Sequence, residues 1–177
     1  TKKASVAKKI NNLHYHGNKC DIQGYNSQMS ESSAWLINKK IDNFNNWQKR
    51  RRYVAKEYNN VFSKFDKKLR TLANSSNLDK HSLHKYVVVF NSKVDRDYIE
   101  KKLMSDGVKT MVHYRYILPE LPLFKKFARQ SSFKYSSKFS NSIFLSNHSL
   151  SLPIHPFIKD YELLKITKIL SFHMKNL

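Results

Sequence analysis

The 177 residues suit one compact domain with room for a protruding arm, and 40% apolar with 13% aromatic residues exclude wholesale disorder. No apolar run approaches the ~20 residues that cross a bilayer, and Thr1–Val6 lacks the apolar stretch of a secretion signal. Thirty-three Lys and Arg against 13 Asp and Glu give a net charge of +20, which favours anionic partners, unless it only reflects solvated faces in a Lys- and Asn-rich composition. The single cysteine, Cys20, has no internal disulfide partner and suits a reducing cytoplasm. A first residue that is not Met suggests a trimmed or partial chain.

Along the chain, Val6, Ile10 and Leu13 keep helical spacing, and Gly17 is placed to end that helix. The strongest periodic signal runs from Ser30 to about Tyr58, where Ile37, Ile41, Phe44, Trp47, Val54, Ala55 and Tyr58 recur at three- and four-residue steps. Ser30 is a candidate N-cap, and Glu31 sets a negative charge at the positive end of the helix dipole. A helix of that length, on the order of 40 Å, is longer than a small core needs and points to a bridge. Residues 63–82 are polar and read as loop-rich. Tyr86–Phe90 reads as a buried strand, followed by a helix capped by Asp95, with Ile99 and Leu103 inward and Gly107 closing it.

Val108, Thr110 and Val112 alternate as in a second strand. Pro119 and Pro122 flank a turn before a short helix near Leu123–Ala128, and residues 129–142 are loosely patterned. Phe144–Leu152 reads as a strand stopped by Pro153 and Pro156. A last helix has Asp160 and Glu162 near its start, with Ile158, Tyr161, Leu164, Ile169 and Phe172 as apolar anchors. Strands alternating with helices predict a small α/β (α+β) sandwich, helices against one face of a three- to four-stranded sheet.

Several short motifs occur in one order. Gly24, Asn26, Met29 and Glu31 open the long helix after His16-Gly17. Tyr86-Val87-Val88, Arg96-Asp97, Gly107-Val108-Lys109-Thr110, His113-Tyr114 and Leu150-Ser151-Leu152-Pro153 follow. Together they resemble the C-terminal half of the DegT/DnrJ/StrS family of pyridoxal-phosphate-dependent nucleotide-sugar aminotransferases. The resemblance implies the small C-terminal domain of a type I aminotransferase fold. Its parts would be a remnant of the cofactor domain over 1–29, a long connecting helix over 30–62 and a small α/β domain over 63–177. It also implies a homodimer or a large-domain partner, with Asn26 reaching the cofactor phosphate across the interface and Gln28 beside it. His113 and Tyr114 would lie at the substrate edge. Read without the resemblance, Asn26 is a turn residue, His113 a packed strand-end histidine and Tyr114 core or rim packing.

The departures bear on chemistry. Gln28 stands where the family often has arginine, removing a permanent charge, and Arg115 replaces the usual proline after His113-Tyr114. Pro119 takes the place of a second histidine. No residue here is assigned a catalytic role, because the Schiff-base lysine of the family precedes the segment matched here. Lys39 and Lys40 on the long helix are ordinary solvated lysines. His14 and His16 match no standard zinc spacing, so no metal is expected.

The resemblance therefore implies part of an enzyme that moves an amino group, from glutamate above all, onto a nucleotide-linked keto-sugar for surface polysaccharide or lipopolysaccharide. Pyridoxal 5'-phosphate would serve the complete enzyme, and the chain alone would be inactive and bind none. The expected setting is the cytoplasm with no membrane partner. Two other readings stay open: a basic nucleic-acid-binding module, carried by Lys49-Arg50-Arg51-Arg52-Tyr53 and Lys67-Lys68-Leu69-Arg70, or a non-catalytic split or degraded remnant.

Overall fold

The computed structural model describes residues 1–14, 23–25, 27–74, 76–122, 124 and 139–177. The chain divides into two compact units, 1–45 and 46–177. Gly17, Asn26 and most of Leu123–Ala128 lie outside the described residues.

In the first unit, helix α1 spans Ala4–His14 and buries none of its residues. After it, the amide of Tyr25 donates to the Leu13 carbonyl at 2.7 Å. Helix α2 spans Glu31–Phe62. Ser30 caps it, its Oγ accepting from the Ser33 amide at 3.3 Å, with Glu31 in the first turn. With no Gly or Pro in 32 residues, nothing interrupts the backbone ladder. The periodic residues then divide: Ile37, Ile41 and Phe44 are exposed, whereas Val54, Ala55, Tyr58 and Phe62 are buried.

The second unit is built on a three-stranded antiparallel sheet, β1 (Leu69–Thr71), β2 (Tyr86–Phe90) and β3 (Ser149–Leu152), in that spatial order. Tyr86 faces Leu152 and Val88 faces Leu150 in the register, so these four side chains share one face. They join one apolar cluster with Tyr58 and Phe62 of α2, Ile99 and Leu103 of α3 (Lys93–Ser105) and Leu163, Leu170 and Met174 of the last helix. The Tyr58 and Tyr86 rings meet at 5.1 Å. Burial raises the pKa of both phenols, so both stay neutral donors. Tyr58 Oη donates to the Pro153 carbonyl at 2.9 Å and Tyr86 Oη to Asn59 Oδ1 at 2.7 Å.

Several expectations need correction. The segment 63–82 is loop-rich as expected, but it also holds a 3-10 turn, Ser63–Phe65, and an unforeseen strand, Leu69–Thr71, paired with β2. A strand of three residues carrying one buried apolar side chain leaves too short a pattern to read. Ser92, not Asp95, caps α3, accepting from the Asp95 amide at 3.3 Å. Val108, Thr110 and Val112 are indeed buried, but the segment makes only one bridge, Met111 to Ser151. Its alternation reports burial and not a ladder. Phe144–His148 is helical, in α4 (Ser140–His148), and only Ser149–Leu152 is strand.

Helix α5 spans Asp160–Lys175; of the expected anchors Ile158 is buried and Ile169 packs against the core, but the helix otherwise turns a different face inward. Leu163, Leu170 and Met174 are buried, while Tyr161, Leu164 and Phe172 remain 72%, 56% and 63% exposed. Between two near-equivalent apolar stripes, the sequence does not say which one faces the core.

Candidate functional site

A groove of about 910 Å³ opens in the second unit, where several loops converge. Its walls come from the residues ahead of β2, the turn after α3, the segment after β3 and the first turns of α5. Each wall has a local cause. Leu83 adopts a left-handed φ of 52°, costly for a branched side chain, yet its side chain is fully buried and its amide donates to His81 Nδ1 at 3.0 Å. That anchor delivers His84 and Lys85 to the groove. On the opposite wall, α3 ends at Gly107 with φ 79°, and the Val108 amide donates to Leu103 O at 2.8 Å. This is a Schellman ending, and it turns Lys109 and Thr110 into the groove lining.

His113 and Ser151 make the polar edge. Met111 and Ser151 exchange backbone bonds of 3.1 and 2.8 Å, which fixes the two segments in register. His113 Nδ1 then meets Ser151 Oγ at 2.9 Å. Burial first, then the charges of Lys85 and His84, lower the His113 pKa. The Tyr114 ring packs edge-on to His113 at 5.5 Å, and Lys85 Nζ sits 5.3 Å from the Tyr114 centroid. His113 and Tyr114 therefore come together as one polar-aromatic rim. Gln28 is exposed in the first unit.

Electrostatically the groove is a cationic trough. Arg51, Lys85, Lys109 and Lys165 line it against the acids Asp106 and Glu162. Both acids are occupied elsewhere: Asp106 Oδ2 lies 2.6 Å from His173 Nε2, and Glu162 accepts the Lys159 amide at 2.7 Å. Thr110 Oγ1 is buried with no hydrogen-bond partner among the described residues. An orphaned hydroxyl among cations suits a ligand rich in acceptor oxygens, such as a phosphate ester. Among the described residues no group of His, Cys, Asp or Glu is arranged to hold a metal. His84 and Lys85 carried no site signal in the sequence, whereas Arg51 belonged to the basic run and Lys109 to the Gly107-Thr110 motif. The one available clue was the position of His84-Lys85 immediately before a buried strand.

The arginine run on α2 is largely spoken for. Arg50 Nη1 pairs with Asp160 at 2.7 Å, its Nε donates to the Ile158 carbonyl at 3.1 Å, and Arg52 Nη2 donates to the Asp79 carbonyl at 3.0 Å. Arg50 in this way ties α2 to the start of α5.

The profile of the DegT/DnrJ/EryC1/StrS aminotransferase family matches residues 1–171. The chain belongs to that family. Its fold is similar to that of DesV from S. venezuelae, solved in complex with a ketimine intermediate, with a TM-score of 0.78 and 18% identity. That match covers 100% of this chain and 46% of DesV. NtdA from Bacillus subtilis, solved with bound cofactor PMP, gives a TM-score of 0.77 at 21% identity, covering 99% of this chain and 41% of NtdA. Helicobacter pylori PseC, an aminotransferase involved in the biosynthesis of pseudoaminic acid, gives 0.69 at 15% identity, covering 100% of this chain and 48% of PseC. A curated relative, the pleiotropic regulatory protein of Geobacillus stearothermophilus, is 24% identical over 160 residues, 88% of this chain and 41% of its own length. The chain thus spans less than half the length of these relatives. The mixed fold of helices and a small antiparallel sheet is thus similar to that of aminotransferase chains. No helix of the described residues is long and apolar enough to cross a membrane.

Proposed function

We propose that the chain is the C-terminal part of an aminotransferase that moves an amino group from an amino acid, glutamate above all, to a nucleotide-linked keto-sugar destined for surface polysaccharide. The family match over 171 of 177 residues carries this reading, and the cationic groove with its orphaned Thr110 hydroxyl supports it. Residues 1–29 correspond in this reading to the end of the cofactor domain, 30–62 to the connecting helix and 63–177 to the small domain, in a cytoplasmic homodimer.

Pyridoxal phosphate, when bound in the complete enzyme, supplies the electron sink that lets an amino group change carbons. Asn26 and Gln28 would hold its phosphate, an amide N–H donating to phosphate oxygens without needing to lose a proton. The residues of the groove have simpler tasks. Lys85 and Lys109 attract the phosphates of the sugar nucleotide, and the Thr110 hydroxyl donates one bond to a phosphate oxygen. His113, its Nδ1 engaged by Ser151, keeps Nε2 for the sugar edge, and its lowered pKa keeps it neutral there. Tyr114 closes the rim.

The test is to mix this chain with a separately expressed cofactor domain and pyridoxal phosphate. Retained visible cofactor absorbance after gel filtration, with amino transfer only in the mixture, is the expected outcome. Turnover by the purified chain alone, or a mixture that holds no cofactor, would overturn the reading.

A further inference from the structure

After Asp160, the exposed positions of α5 are Tyr161, Leu164, Lys165, Lys168, Phe172 and Lys175. At 3.6 residues per turn they fall on one stripe about 100° wide and about 21 Å long. Three are large and apolar, three are lysines and none is acidic. The opposite face is fixed, because Leu163, Leu170 and Met174 are buried in the core. The two acids of α5 lie off the stripe in its first turn, Asp160 paired with Arg50 at 2.7 Å and Glu162 bonded to the Lys159 amide at 2.7 Å. Phe157, 65% exposed, extends the surface just ahead of the helix.

Lysines alone would be an ordinary wet face. Solvation does not account for Leu164 and Phe172, whose apolar area is left in water on a face that cannot turn inward. Phosphate contacts of a nucleic acid would use the lysines but leave Leu164 without a stacking role. Hydrocarbon rewards both side chains, and lysine stems can lie along that layer with their ammonium groups at the headgroups. The net charge of +20 complements an anionic leaflet. The expectation of no membrane partner rested on the lack of a crossing segment, and a helix lying in the surface needs none.

We propose that the outer face of α5 docks on an anionic lipid bilayer, with Tyr161, Leu164 and Phe172 entering the headgroup layer and Lys165, Lys168 and Lys175 against the phosphates. Tyr161 and Lys165 also line the groove, so docking holds the groove beside the bilayer.

Flotation of the full chain with phosphatidylcholine vesicles, with and without phosphatidylglycerol, tests this. The chain should float with the anionic vesicles only. The double substitution L164S and F172S should weaken binding by about tenfold or more with unchanged circular dichroism and melting. The triple substitution K165Q, K168Q and K175Q should weaken it on the order of a hundredfold. Inorganic phosphate at matched ionic strength should not displace the chain. No flotation, flotation unaffected by L164S/F172S, displacement by phosphate, or binding of a single-stranded oligonucleotide through these residues in place of vesicles would each refute the proposal.

Discussion

His113 shows how the setting of one side chain sets its chemistry. Its pKa in the folded chain lies below the ordinary value of 6.5. The unfolded chain therefore binds more protons through the interval between the two pKa values. Stability rises with pH across that interval and is lost as pH falls from about 6.5 through the folded value. Solvent screening keeps the amplitude small, because His113 is only half-buried. Urea unfolding between pH 8 and pH 5 should show a difference between wild type and His113→Asn that changes over this interval, in favour of the variant as acid is added. Tyr58 offers a second residue-scale prediction. Tyr58→Phe keeps the ring in the core and leaves the Pro153 carbonyl without its donor, for a loss of about 1 to 2 kcal/mol in urea unfolding. The sequence marked His113 and Tyr114 by motif alone. Their partnership with Ser151 and Lys85 was not legible, because contacts across 38 and 29 positions follow from pairing of segments and not from local pattern.

At the scale of elements, helix ends and faces decide where the site falls. Gly107→Ala meets nothing within 4 Å of an added Cβ, so its cost is backbone strain alone, about 1 kcal/mol in thermal unfolding. Ser92→Ala removes the true cap of α3 and should cost about 1 kcal/mol, whereas Asp95→Ala loses only a charge in the first turn. Comparing the two by chemical denaturation separates cap from charge. Helices α1, α2, α3 and α5 and strand β2 were readable because each is long or strongly patterned. Strand β1 and helix α4 were not, since three and nine residues with mixed polarity fit either period. The inward face of α5 was misread for another reason. Tyr161, Leu164 and Phe172 keep helical spacing as well as Leu163, Leu170 and Met174 do, and only the packed core chooses between them.

At the scale of the molecule, the apolar cluster belongs entirely to residues 46–177. A fragment limited to those residues should unfold cooperatively, with a midpoint close to that of the full chain in circular dichroism. A non-cooperative transition would mean that the first unit contributes to the core. The buried arginine of α3 belongs to the same scale. Arg96 donates to the Asn147 carbonyl at 3.0 Å and pairs with Glu100 at 3.2 Å, and Glu100 in turn meets Arg115. The residue standing in place of the family proline is thus held by a charge bridge to α3, a tie that increasing salt weakens only in its exposed half.

The sheet itself carries a last implication. Its outer strands are three and four residues long, and Ser151 on β3 already exchanges backbone bonds with Met111. So little unpaired backbone is a poor template for recruiting strands from other molecules. Should concentrated samples self-associate, the sticky surface to mutate first is the row of Ile37, Ile41 and Phe44 on α2, and fibril-type stacking is the outcome least expected.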